Sequence, residues 1–361
     1  MKRTFIIALL AMLAVFSFVS CNNGIVVDDL FAGGGGDTYT VTLNANGGTV
    51  NSGNVTSYTK GVGATLPTDV TKDGYGLVGW YEDSEFSGSA VTEISTTDTG
   101  NKTFYAKWTP LYLVFKSTAS FNIRTNNNSK NWAGTLEYST DGSTWNAWGG
   151  TTTIYSGSYG GKHVIFLRGT GNTAITTIAE GRWILGGDAT SVECKGDIRT
   201  LLDYDDPDAP VMAANCFNSM FQGWSRLTTA PELPATTLAN SCYKSMFSGC
   251  NNLTAAPSLP AESLASDCYY SMFSGCNNLT AAPSLPAVTL VSRCYQFMFN
   301  GCSNLNSITC LATDISAYYA TYYWAEGVAA TGTFTKAESM TDWGAGASGI
   351  PDGWTVQNYS N

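Results

Sequence analysis

The sequence predicts a multidomain chain in which two all-β regions precede a solenoid. Three observations carry that prediction. From Cys216 onward one 26-residue unit recurs, as CFNSMFQGWSRLTTAPELPATTLANS, CYKSMFSGCNNLTAAPSLPAESLASD and CYYSMFSGCNNLTAAPSLPAVTLVSR, beginning at Cys216, Cys242 and Cys268, with a decaying fourth copy at Cys294. A fixed period of this length marks units that bury their apolar edges only against their neighbours. Ahead of them, residues 39–205 alternate short apolar runs with Asn, Asp and Gly clusters, the punctuation of strands and turns.

The chain opens on a leader, residues 1–20. Lys2 and Arg3 precede the apolar run from Phe5 to Val19, which falls short of the ~20 residues of a membrane-spanning helix and suits the core of an export signal. Its end, Phe18-Val19-Ser20-Cys21, resembles the lipobox of bacterial lipoproteins, with Phe18 where Leu is usual. That resemblance implies cleavage before Cys21, acylation of Cys21, and a protein exported and lipid-anchored to the bacterial cell envelope, at the outer membrane and surface-exposed. Residues 21–38, with Gly33 to Gly36, read as a flexible lipidated linker.

The first folded region spans 39–108. YTVTLNANGG alternates at period two and stops at a glycine turn; Leu66-Pro67, GYGLVGWY (Gly74 to Tyr81) and FYAKW (Phe104 to Trp108) follow. These blocks resemble the internalin-type B-repeat, also called the Listeria-Bacteroides repeat, which implies a small β-grasp-like module of bacterial surface proteins. Trp80, Tyr105 and Trp108 are expected to fill its core. Residues 111–205 read as a β-sandwich-like domain of short strands, with a hairpin signal at Asp141-Gly142. His163, the one histidine, falls in a strand without a second histidine, a paired cysteine or a poised serine beside it. Asp203, Asp205, Asp206 and Asp208 lack the glycine and closing glutamate of a calcium loop and read as an acidic linker.

Residues 206–356 form the predicted solenoid with a C-terminal cap. Met246, Phe247, Leu253, Leu259 and Leu264 stand for apolar positions shared by the full copies, so they are expected to stack inward. Ser241 is placed to cap a short helix over Cys242–Ser248 that Gly249 ends. The LTxAPxLP segment after it is extended, because each proline disfavours helix at the preceding residue. Each 26-residue repeat is thus expected to be a short helix plus an extended strand. The unit resembles the BspA-like leucine-rich repeat of bacterial surface proteins, with Gly249-Cys250 and Leu253 as its kernel; TGTFTK (Thr331 to Lys336) and GIPDGWTV (Gly349 to Val356) resemble the ending of such proteins. Trp224 stands where later copies have Cys250, Cys276 and Cys302, marking a modified first unit. Nine cysteines besides Cys21 leave an odd thiol, and those recurring at the repeat period suit packing better than bridging.

A net charge of −10, with 18 Lys+Arg spread thinly, leaves no basic stripe for nucleic acid. No nucleophile–base, paired-carboxylate or metal-ligand set can be assembled, so no enzyme, cofactor or metal is expected. The expected function is adhesion or protein–protein interaction at the cell surface through the solenoid; the alternative is glycan capture, motivated by Tyr318, Tyr319, Tyr322, Tyr323 and Trp324, although these also suit a cap over the last repeat. Partners are the membrane, through the N-terminal lipid, and a protein or glycan on a host or neighbouring cell. The third residue of each repeat, Asn218, Lys244, Tyr270 and Gln296, varies among repeated neighbours and is expected to face solvent as a ligand-binding column.

Overall fold

The computed structural model describes residues 36–177 and 181–360, so the leader and Cys21 lie outside the described residues. Strands Thr38–Asn44 (β1), Thr49–Val50 (β2), Ser57–Thr59 (β3), Ala64–Thr65 (β4), Val70–Thr71 (β5), Tyr75–Tyr81 (β6), Glu93–Ile94 (β7) and Lys102–Pro110 (β8) build the first module. Its main sheet runs β3-β1-β8-β6, with β1 and β8 parallel at the centre and antiparallel partners outside. Alternation along β1 turns Val41 into a core shared with Tyr58, Leu66, Val70, Trp80, Ile94, Phe104 and Ala106. Trp80 is buried and its indole N–H donates to Pro67 O at 2.7 Å. Tyr105 and Trp108, expected in that core, are only half-buried; the Trp108 ring lies against Gly48, where a Cβ would come within 2.3 Å of it.

The second region holds Leu113–Ser117 (β9), Phe121–Thr125 (β10), Thr135–Ser139 (β11), Asn146–Ala147 (β12), Ile154–Tyr155 (β13), Gly157–Tyr159 (β14), Lys162–Thr170 (β15), Trp183–Gly187 (β16) and Val192–Lys195 (β17). A three-stranded sheet, β13-β10-β16, accompanies a larger one ordered β12-β11-β15-β9-β17, with β14 on β15. The Asp-Gly signal forms the β11–β12 turn: Gly142 takes φ +74°, and Asp141 Oδ1 accepts from the amides of Ser143 and Thr144 at 2.8 and 2.7 Å. The larger sheet does not close there. Leu227–Thr229 (β18), from the first repeat, pairs parallel with β17. Phe115 packs on Phe221 and Trp224, and Trp224 donates its indole N–H to Trp183 O at 2.7 Å. One hydrophobic core therefore runs from Leu113 to Trp354, while that of the first module is separate.

The repeats correct the helix-plus-strand expectation. The described chain is all-β, about 2% helical, with no helix of seven or more residues; the leucine-rich-repeat solenoid of the sequence reading is not formed. Backbone hydrogen bonding gives the reason. The amides of Cys242, Lys244, Met246, Ser248 and Cys250 bond three residues back, whereas those of Tyr243, Ser245, Phe247 and Gly249 reach the carbonyls of Cys268, Tyr270, Met272 and Ser274 in the next repeat at 2.8–3.1 Å. An α-helix past its first turn would bond each amide four residues back, and none of these amides does so. Ser241, expected as a helix cap, instead adopts φ +57° and donates its own N–H to Ser266, and Ser245 at φ +53° breaks the run again. Each repeat is consequently a coil of tight turns, hydrogen-bonded to the coil after it.

Side chains stack at the same period. Phe217, Tyr243, Tyr269, Tyr295 and Trp324 form one column of nearly parallel rings 5.8–6.2 Å apart; Phe221, Phe247, Phe273 and Phe299 form a second at 5.7–5.9 Å. Met246, Phe247, Leu253 and Leu259 are buried as expected, and Leu264 is half-buried. Trp343 closes the column, stacked on Trp324 at 5.4 Å. Ser307–Cys310 (β19), Thr333–Lys336 (β20) and Thr355–Asn358 (β21) end the molecule as a parallel sheet.

Candidate functional site

Asn218, Lys244, Tyr270 and Gln296 do fall in one column: the amides of Ser219, Ser245 and Ser271 donate to the carbonyls of Lys244, Tyr270 and Gln296 at 2.8, 2.8 and 2.9 Å. The column is not the solvent face that the sequence suggested. Asn218, Lys244 and Tyr270 are half-buried, and Gln296 is 7% exposed with no hydrogen-bond partner for its Oε1 among the described residues. Its members lean on one another. Lys244 Nζ lies 4.7 Å from the centre of the Tyr270 ring, and Tyr270 meets Phe297 edge-on at 5.7 Å.

That contact leads into the cluster of Tyr318, Tyr319, Tyr322, Tyr323 and Trp324, for which the sequence offers both a glycan surface and a cap. Phe297 touches Tyr322 and Tyr323 at 5.7 and 6.3 Å; Tyr322 touches Tyr323 and Tyr319 at 4.4 and 4.6 Å; Tyr319 touches Tyr318 at 4.1 Å. Tyr318 and Tyr319 are 65% and 45% exposed. Trp324 alone of the expected cap cluster is fully buried, its indole N–H on Gly349 O at 2.8 Å. Partial desolvation raises the Tyr322 phenol above its usual value, and a hydrogen bond with Tyr319 raises that of Tyr318, so these rings stay uncharged well past neutral pH. Polar pairs lie close by: Arg293 Nη2 on Asp267 Oδ2 at 3.0 Å, and Asn300 Nδ2 on Glu326 Oε2 at 3.1 Å.

The backbone beneath these rings is unusual. Besides one glycine, two positions per coil take left-handed φ, spaced by the repeat: Asn215, Ser241, Asp267, Arg293 and Tyr319 in one series, Ser219, Ser245, Ser271, Phe297 and Tyr323 in the other. Their φ values lie between +49° and +61°. Short polar residues serve in the first three coils, whereas the last two place Arg, Phe and Tyr there. Left-handed backbone costs a residue with a Cβ roughly 1–2 kcal/mol, least for Asn and Asp, and is an outlier for bulky side chains. No sequence period reveals this, because the period fixes which residues align and not the hand of the backbone under them.

Other candidates sort differently. The nine described cysteines are all free and buried, and burial raises their thiols. His163 is half-buried in β15 and lacks a partner for Nδ1 among the described residues. A cleft of about 590 Å³ separates the first module from the first coil, and most of its charges are paired: Asp197 with Arg199 at 2.7 Å, Lys72 with Glu232 at 3.7 Å, and the Tyr75 hydroxyl donates to Glu232, while Lys107 lies over the Tyr81 ring at 5.2 Å. Asp208, from the expected acidic linker, pairs with Arg199 as well. Among the described residues no group of three or more His, Cys, Asp or Glu is placed to hold a metal, and no helix is long and apolar enough to cross a membrane.

Set beside known proteins, residues 39–107 match the Listeria-Bacteroides repeat domain (List_Bact_rpt), in agreement with the reading of that module from its sequence. Domains of this class occur in surface-associated proteins. The match covers that module alone; no curated protein and no solved structure matches the chain.

Proposed function

We propose that this is a surface-held binding protein, tethered by a lipid on Cys21, which mediates adhesion or protein–protein interaction through the flank of its stacked coils. The observation that carries this reading is the continuous half-exposed to exposed row from Lys244 and Tyr270 through Phe297 to Tyr318, in a chain whose first module belongs to a class of surface-associated domains. Exposed aromatic rings in contact are what interfaces enrich, since they offer large contact area at small entropic cost. Capture of the membrane needs no span, because several acyl chains at ~0.8 kcal/mol per buried CH₂ hold firmly.

Two measurements test the reading. Cys21→Ala should move the protein out of the detergent phase; unchanged partitioning refutes the anchor. Beads carrying the full chain should attach to host or neighbouring bacterial cells, and Lys244→Ala with Tyr270→Ala should weaken attachment at an unchanged melting temperature. Attachment that survives in this variant and in any variant of the tyrosines would place adhesion elsewhere, with the Listeria-Bacteroides module the first alternative.

A further inference from the structure

We propose that the aromatic end of the flank, Phe297, Tyr318, Tyr319, Tyr322 and Tyr323, is a carbohydrate-binding platform for a neutral glycan chain. The inference rests on the binding-protein reading above and names the ligand class of that surface.

Left-handed backbone carries the argument first. The same turn is built three times with Asn215/Ser219, Ser241/Ser245 and Asp267/Ser271, so the fold does not require a large side chain at either place. Coils four and five nonetheless seat Arg293/Phe297 and Tyr319/Tyr323 there. All five coils carry the left-handed backbone, so what sets coils four and five apart is the large side chain they seat on it, where such backbone is least usual. What these side chains achieve is visible in the ring contacts: Phe297 and Tyr323 bring the flank of coil four against Tyr322, and Tyr319 extends it to Tyr318, giving five aromatic rings in unbroken contact with exposed faces at the outer end.

Chemistry then selects the ligand. The exposed rings at the outer end are tyrosines, flat apolar faces with polar rims. A pyranose offers the complementary surface: polarised C–H groups for the negative ring face, and hydroxyls at its edge for phenol O–H groups and for side-chain pairs such as Arg293–Asp267 and Asn300–Glu326. A nucleic-acid strand would also stack on the rings, but it needs a basic groove. Here Arg293 is already paired, Glu326 lies close enough to raise the Tyr322 phenol, and the chain carries −10. An anionic glycan is disfavoured on the same ground.

The test is affinity electrophoresis of the full chain in native gels carrying a neutral β-glucan, a starch or a galactomannan. The wild-type chain is expected to be retarded in at least one gel. Tyr319→Ser with Tyr323→Ser, the kind of residue the earlier coils use at these positions, should weaken retardation about tenfold or more, the scale of one lost aromatic stack, and should leave the melting temperature unchanged or higher. If that variant fails to fold, Tyr318→Ala, at a position without left-handed backbone, should reduce retardation in the same gel. No retardation of the wild type in any gel, or equal retardation of wild type and folded variants, overturns the proposal. Should the wild type pass all gels freely while the tyrosine variants lose cell attachment, the binding-protein reading stands and the glycan assignment falls; loss of neither sinks both.

Discussion

Cys250, Cys276 and Cys302 each aim a thiol at a carbonyl of the preceding coil, those of Phe221, Phe247 and Phe273, at 3.0–3.2 Å. Such thiols act as small apolar fillers with one weak donor. Burial pushes the thiols of Cys242, Cys294, Cys302 and Cys310 up to about 12, from an unfolded value of 9.0. Their contribution is complete below pH 9, where both states are protonated, and drains away between pH 9 and about 12, where the unfolded chain ionises first. Buried Tyr243, Tyr269 and Tyr295, also raised, act in the same direction. Thiol titration should therefore find the nine described cysteines silent in the native protein at pH 8 and reactive in denaturant, and the melting temperature should fall steadily only above pH 9. At this scale the sequence was a partial guide. It aligned Gln296 with Lys244 and Tyr270, yet Gln296 is buried, because the period fixes which residues share a column and not how deeply each is covered.

A coil, not a helix, is the element that repeats, and its energetics divide between inward side chains and outward amides. Leu253 is fully buried, so Leu253→Asp strands a charge in the column and should cost roughly 3–5 kcal/mol, read from denaturant midpoints. Deleting residues 242–267 removes one whole period and lets the amides of coil one meet the carbonyls of coil three in register; the shortened protein should melt cooperatively. Deleting half of that stretch shifts every ring out of its column and should abolish the transition. The period and its inward residues were legible, because repetition of Met, Phe and Leu reports burial directly. The helix was a misreading with a physical origin: Ser, a helix cap and Gly spaced one short helix apart also describe a turn that alternates backbone hand, and only the destination of each amide separates the two.

Across the whole molecule the sandwich-like region and the coils share one core, and the expected division near residue 205 is crossed by β17 pairing with β18. The first module has its own small core and meets the rest through polar contacts such as Asp73 with Lys116 at 2.6 Å and Lys195 at 3.6 Å. Calorimetry should resolve two heat-absorption peaks, with Asp73→Ala moving the first by no more than about 1 kcal/mol equivalent. A single peak would mean that the two cores melt as one. Sequence showed the two β regions as separate runs, but the pairing of Val192–Lys195 with Leu227–Thr229 leaves no composition change to read. Pulling the ends of the protein apart loads the forward bonds between coils. Every coil holds the next by a short run of amide bonds, so the interfaces carry the load in series and give way one at a time. Each stripping should release 26 residues, or about 90 Å of slack at 3.3–3.6 Å per residue. A force–extension trace should show evenly spaced teeth of that length, the behaviour of a tether that yields stepwise under shear instead of snapping.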